Sequence, residues 1–312
     1  RAIWDTPAPR RNRSVALTKH PWLAAASVLV LSIHPAALAT EGGGSVYPYG
    51  LNTVASGILP RPGPSLSSYN TRFTADVARD GRGVAVPIPF DVTVRAHTLR
   101  YLGVADSITV AGGQLGWLVA QPYLLGRADI GPRSGARSDL GDLTVGLMLG
   151  WHGPRRHWMT GVDLTLPTGA YDADRLFNPG RNHVAATFYY AQTVPIGARL
   201  DSNLRVNLTL NDANDATRYR SGHEAGLEGS LNLRLGPRWL VGVNGYVHHQ
   251  LTGDRQAGAR VGDGRKLHVV AYGPQLVYRA DGWAASVKWQ REDRARHKAE
   301  GDKLWLQGFY AF

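Results

Sequence analysis

No cysteine occurs among the 312 residues, so no disulfide, zinc–thiolate site or thiol nucleophile is open to this chain. Long apolar runs are also missing: beyond residue 39 no window approaches the ~20 apolar residues that a membrane-spanning helix needs. Charge of a single sign is not segregated into a stripe. The formal net charge is +11, but the arginines are scattered through turns and loops instead of lying beside stacking aromatics, which speaks against nucleic acid as a partner.

Residues 1–39 read as an export signal. Arg10, Arg11, Arg13 and Lys19 make a basic start, "PWLAAASVLVLSIHPAALA" is apolar, and Ala37-Leu38-Ala39 is a small-residue cleavage site. His34 and Pro35 lie too near the middle of that run for a membrane anchor. Arg1 in place of Met reads as a chain already shortened or processed at its start. Residues 1–39 hold five of the 35 basic and one of the 24 acidic residues, so the remainder keeps 30 and 23, a net of +7. An exported chain with no apolar helix is either a soluble exported protein or a β-barrel.

What is present is alternation. In "ARLDSNLRVNLTL", Leu200, Leu204, Val206, Leu208 and Leu210 share one face, while Asp201, Asn203, Arg205, Asn207 and Thr209 share the other. "HEAGLEGSLNLRL", "DLGDLTVGLMLGW" and "GWAASVKWQRE" behave alike. Period two marks strands. These run to ten residues or more, whereas strands of soluble sandwiches average about 5–6 and tilted membrane-spanning strands about 9–11.

Twelve such segments are predicted, near 65–79, 89–104, 113–129, 139–151, 157–167, 183–194, 198–210, 223–235, 239–250, 266–278, 283–292 and 302–312. Connections alternate between tight turns ("HGPRRH", "PIG", "GPR", "RADG") and long charged loops ("PTGAYDADRLFNPGRN", "NDANDATRYRSG", "LTGDRQAGARVGDGR", "REDRARHKAEG"). Short periplasmic turns against long external loops form the outer-membrane pattern. Trp151, Trp158, Trp239, Tyr278, Trp283, Tyr310 and Phe312 gather at the tight-turn ends, as an interfacial girdle would. The fold class expected is therefore all-β: an antiparallel up-and-down transmembrane barrel of about 12 strands over 65–312, in the bacterial outer membrane and in contact with its lipid. Residues 40–64 do not alternate and are broken by Gly42–Gly44, Pro48, Pro60, Pro62 and Pro64. They form either a periplasmic tail or a plug in the lumen, and "VYPYGLNTVASGIL" has the apolar content to pack.

The stretches "ATEGGGSVYPYG", "LGDLTVGLMLGWH", "LTLPTGAYDADRLFNPGRNHV", "YRSGHE", "GPQLVY" and "GDKLWLQGFYAF" resemble the MetA-pathway of phenol degradation family of outer-membrane proteins. The resemblance runs from about Ala39 to Phe312, and the "LPTGAYD" to "GRN" block is its most specific part. It implies a single porin-like barrel with a role in uptake of aromatic or other hydrophobic compounds. The family tends to carry an acid just after Tyr-Pro-x-Gly, where this chain has Asn52.

If the apolar faces meet lipid, the lumen is lined by polar residues. The substrate-path candidates are Arg95, His97, Asp142, Asp163, Arg205, Glu228, Arg234, Tyr246 and Lys288. Asp91, Asn207, Asn232, Asn244 and Gln290 join that wall, and Leu99, Tyr101, Leu118, Tyr189 and Phe309 are candidates for an apolar patch in it. Twelve strands enclose more than the eight that side chains just fill and fewer than open porins use, so a narrow or plugged channel is expected. Catalysis has little to rest on. His97, His152, His248, His249 and His268 could each act as a base, but no Gly-x-Ser-x-Gly or His-Glu-x-x-His is present. "GHEAGLEG" looks like a phosphate loop yet lies on an alternating strand. The function expected is passive passage of small solutes, with no enzyme activity, cofactor or metal. A lipid-modifying enzyme and a purely structural barrel are the competing readings. The C-terminal Phe312 is the expected signal for the barrel-assembly machinery.

Overall fold

A computed structural model describes residues 38–312. The reading of residues 1–39 as a signal peptide lies outside them, apart from Leu38 and Ala39. The wall starts with β1 (Gly63–Arg79), β2 (Phe90–Val110), β3 (Gly113–Ile130), β4 (Arg133–Leu140), β5 (Leu143–His152) and β6 (His157–Leu166). It continues with β7 (Ala185–Ile196) and β8 (Leu200–Asn211). The short strands β9 (Ala213–Asn214) and β10 (Tyr219–Arg220) precede β11 (Glu224–Leu235) and β12 (Trp239–Gln250). After β13 (Arg255–Gln256) and β14 (Ala259–Arg260), the wall ends with β15 (His268–Ala280), β16 (Trp283–Arg296) and β17 (Lys298–Ala311).

Every neighbour pairing in the wall is antiparallel, and β1 pairs with both β2 and β17, so the sheet closes into a barrel without an edge. β4 and β5 both pair with β3 and form one stave, giving twelve. The stave divides opposite Pro122, which has no N–H for the ladder. There Gly141 N donates to the Pro122 carbonyl at 2.9 Å, and the Gln121 side chain donates to the Gly141 carbonyl at 2.8 Å.

The outward face is the apolar one. Leu147, Leu164, Phe188, Leu208, Leu227, Val243, Leu304 and Leu306 are all exposed. In a soluble protein that surface would be a liability; a lipid belt is its natural partner. The predicted girdle forms at the tight-turn end. Trp151 stacks on Trp158 at 3.8 Å between centroids, Trp239 meets Tyr278 at 4.8 Å, Tyr278 meets Trp283 at 5.1 Å, and Tyr310 meets Phe312 at 5.1 Å.

Several staves run past their predicted ends at the loop side. "REDRARHKAEG" was expected as a loop but carries β16 to Arg296 and starts β17 at Lys298, leaving a tight turn at His297. Residues 133–138, which the sequence places outside strands, belong to β4. Beyond the lipid belt the outward positions of a stave no longer need to be apolar, so the alternation that marks the membrane-embedded part disappears while the ladder continues. β9, β10, β13 and β14 build a small four-stranded sheet from two of the long loops.

Candidate functional site

Alternation turns every second side chain inward, and the inward face is largely polar in its middle part, while nearer the loop side Tyr246, Val269 and Ala271 pack with Ala39, Tyr47 and Tyr49. Segment 39–59 lies against it. At the loop side, Glu41 and Asp254 gather the connections. The Glu41 carboxylate accepts from Tyr171 Oη (3.1 Å), Asn214 Nδ2 (2.7 Å) and Thr217 Oγ1 (2.7 Å), and the Glu41 carbonyl accepts from Arg181 Nη1 (2.9 Å). Asp254, fully buried, accepts from Thr40 N (2.8 Å), Gly222 N (2.9 Å), Gln250 Nε2 (2.6 Å) and Tyr219 Oη (2.6 Å). Burial pushes the Asp254 carboxyl above the usual carboxylate range, because these donors offset only part of its desolvation.

The middle layer is built on charge. Glu228 is 0 % exposed and accepts from Tyr47 Oη, from Gly50 N at 2.7 Å and from Asn52 N at 3.3 Å. Asn52 donates through Nδ2 to Tyr47 Oη at 2.7 Å, and the acid of this cluster, Glu228, comes from the wall. Arg205 lies between two rings, 3.6 Å from the Tyr189 centroid and 5.2 Å from that of Tyr47. Its Nη2 is 3.4 Å from Asp163 and its Nε is 3.9 Å from Glu228. Across the lumen, Lys288 Nζ donates to the carbonyls of Gly50 (2.5 Å) and Leu51 (2.8 Å) and to Thr53 Oγ1 (2.9 Å). Lys303 donates to Tyr246 Oη at 2.7 Å and to the Tyr49 carbonyl at 3.3 Å. Tyr246 in turn donates to Glu292, which pairs with Lys298 at 2.6 Å.

Two glycines make this approach possible. Gly50 has φ +91°, and a Cβ there would fall 2.3 Å from Gln290 Oε1. Gly226 leaves room for the Tyr49 ring, which a Cβ would meet at 1.9 Å. That ring stacks on His248 at 4.0 Å, and His248 is 2.8 Å from Glu224.

Lower down the character changes. Leu59 is buried with Leu102, Val104, Leu118, Met148, Met159, Tyr189 and Ala191. Gly116 and Gly150 in the wall leave the space that its side chain fills. At the tight-turn mouth Arg234 and Arg279 both approach Asp201, at 3.6 and 3.5 Å.

Of the predicted wall residues, Arg205, Glu228, Tyr246 and Lys288 therefore converge on the segment, and Asp163 stands behind them, paired with Arg205. Arg234 stands at the mouth. Asp142 lies at the break between β4 and β5, where it accepts from Gly169 N (2.8 Å) and Arg181 N (2.6 Å) and so anchors a long loop. Arg95 and His97 are corrections: they project from the outer face, His97 Nδ1 being 2.7 Å from outward Asn70 Oδ1 and Arg95 standing opposite Arg72. Leu99, 58 % exposed, Tyr101 and Asp91 share that outward face, so they too leave the lumen wall.

The reason lies in β2, which is longer than the lipid belt. Its odd positions are apolar at Leu99 and Tyr101, inside the belt, and polar above it. A rule that turns the polar face inward therefore picks the wrong parity. The inward cation of this strand is Arg100, 4.8 Å from the Tyr69 ring. Sequence reasoning also missed Tyr47, Glu224, His248, Glu292, Lys298, Lys303 and Trp305 as members of the buried network. For Glu224 and Lys303 the signal was available: each lies in phase with an inward neighbour, Glu228 or Gln307.

A closed antiparallel barrel with an apolar outer belt, an aromatic girdle and a polar interior is a bacterial outer-membrane protein of the porin-like class. The chain belongs to the family described as "Putative MetA-pathway of phenol degradation", which matches residues 75–308. Its fold is similar to that of the COG4313 outer membrane channel from Pseudomonas putida F1, at 18% identity and a TM-score of 0.73, over 86% of this chain and 100% of that one. A weaker likeness is to the KdgM porin, at 10% identity and a TM-score of 0.41, over 79% of this chain and 99% of that one. Another is to the transport unit of the autotransporter AIDA-I from Escherichia coli, at 8% identity and a TM-score of 0.46, over 84% and 95%. No curated protein matches the chain.

Proposed function

We propose that this protein is an outer-membrane channel for passive uptake of small compounds, aromatic or hydrophobic ones among them, with residues 40–64 acting as a plug in its lumen. The observation that carries the reading is the seating of segment 39–59 on Glu228, Lys288 and Lys303. Backbone groups of the segment meet charged side chains of the wall, a contact made of hydrogen bonds that a displaced segment could exchange for water. Family membership and the shared barrel fold support a transport role, and nothing in the lumen needs a chemical step.

Arg205, Asp163, Glu228, Lys288 and Tyr246 act in this reading by setting the width and charge of the path. Arg199, Arg234 and Arg279 at the tight-turn mouth, set against the single acid Asp201, favour solutes that carry a carboxylate. Phe312 is proposed as the residue by which the barrel-assembly machinery takes up the chain.

Single-channel recording and liposome swelling test the reading, with an aromatic carboxylate and a sugar of similar size as solutes. Flux that prefers the carboxylate and rises when residues 40–59 are deleted supports it. Purified, folded protein that passes neither solute, with or without the segment, refutes it and leaves a structural barrel.

A further inference from the structure

Asp254 belongs to the loop-side cluster, which the channel reading does not use. It is fully buried, and the four groups bonded to it are neutral: two backbone amides, a side-chain amide and a phenol. No arginine, lysine or histidine forms an ion pair with it among the described residues. A buried carboxylate without a cation is costly, because neutral donors do not replace the field of a charge.

One of the four donors is unlike the others. Thr40 N, 2.8 Å from Asp254 Oδ2, belongs to the residue that directly follows the Ala37-Leu38-Ala39 cleavage pattern. We propose that Asp254 is the binding site for the α-ammonium group of Thr40, created when the leader is removed between Ala39 and Thr40. This inference rests on the reading of residues 1–39 as a signal peptide and of residues 40–64 as a plug.

The chemistry balances with water alone, a leader peptidase being the catalyst. The Ala39–Thr40 amide bond breaks, and the hydroxyl of water joins the Ala39 carbonyl carbon. One proton of water goes to the Thr40 nitrogen, and the proton of the new carboxyl follows it. A neutral donor with a single hydrogen becomes a cation with three. The cation forms within hydrogen-bond distance of the carboxylate that lacks one.

The consequence is a latch that only the processed chain can close. Asp254 also accepts from Gly222 and Tyr219 in one long loop and from Gln250 at the end of β12, so the new ammonium group would tie the start of the plug to two connections at once. The neighbouring Glu41 knot adds Tyr171, Asn214 and Thr217 from the same side.

The test uses protein purified from outer membranes. Intact-mass measurement first reads the N-terminus, and Thr40 is expected there. The native protein is then exposed to an amine-acetylating reagent near neutral pH, and the rate of modification of the Thr40 α-amine is followed by mass spectrometry. Wild type and Tyr219→Phe, which removes only a neutral donor, should react at least tenfold more slowly than Asp254→Asn. Heat-modifiability on gels confirms that each variant remains a folded barrel. Equal reaction rates in wild type and Asp254→Asn overturn the latch. A different N-terminal residue overturns the cleavage reading on which it stands. A protected amine in a protein that passes no solute keeps the latch and refutes the channel.

Discussion

The two ends of segment 39–59 are held by different balances of forces. From Thr40 to Thr53 charge and hydrogen bonds around Asp254, Glu228 and Lys288 fix the backbone, while the Tyr47 and Tyr49 rings pack beside Tyr246, Val269 and Ala271. At Leu59 it is fixed by apolar packing against Leu102, Leu118, Met148 and Met159. Charged contacts are directional and costly to leave half-made, so they set the path of the backbone residue by residue. Apolar packing supplies stabilisation but tolerates sliding. The upper part of the segment therefore determines where it sits, and the lower part adds to how firmly it stays.

The comparison is broken most severely at Glu228. Glu228→Ala removes the acceptor of three donors and leaves Asp163 as the one acid paired with Arg205, and it should destabilise the folded protein by about 3–5 kcal/mol, read as a lowered denaturation midpoint in detergent. Leu59→Ala should cost about 2–4 kcal/mol through its cavity while leaving the segment on the same path. Hydrogen exchange of residues 45–53 would then match wild type, and strong deprotection there would show that the lower anchor also sets position.

Gly50→Ala tests the upper anchor more gently. The strained φ and the clash with Gln290 should cost about 1–3 kcal/mol, displace the segment, and raise single-channel conductance. Unchanged conductance would mean that the segment does not limit flow. Deleting Phe312 should leave solute selectivity untouched and lower the yield of assembled barrel several-fold. Smallest of all, Arg95→Gln acts on the outer face near the loop-side rim, where lipid-facing charges cost only about 0–1 kcal/mol. Its conductance should equal that of wild type, and a changed current–voltage curve would return Arg95 to the lumen.

Much of this architecture is legible in the sequence. Twelve staves could be counted because a lipid belt forces strict alternation on the part of each strand that crosses it. "ARLDSNLRVNLTL" shows the rule at its clearest, with Arg205 and Asn207 inward and Val206 and Leu208 outward as read. The rule failed on "DVTVRAHTLRYLGV", because β2 extends beyond the belt and both its faces become mixed. His97 and Arg95 were thus placed inside, and Arg100 was overlooked. The partners Glu292 and Lys298 are hidden for the same reason, since they lie where the staves outlast the belt; Lys303 of that network is in phase with an inward neighbour.

The sequence by itself determined the class of the protein: a closed barrel with tight turns on one side, long loops on the other and an aromatic girdle at the tight-turn end. Those features follow from local period and residue type, which a one-dimensional pattern carries. Only the tertiary structure decided what fills the interior. Tyr47 meets Glu228 across 181 positions of chain, and Lys288 meets Gly50 across 238. Nothing in the spacing of those residues records their meeting. It exists because closing the sheet brings every inward face to one axis, where buried charges must find partners or not be buried at all.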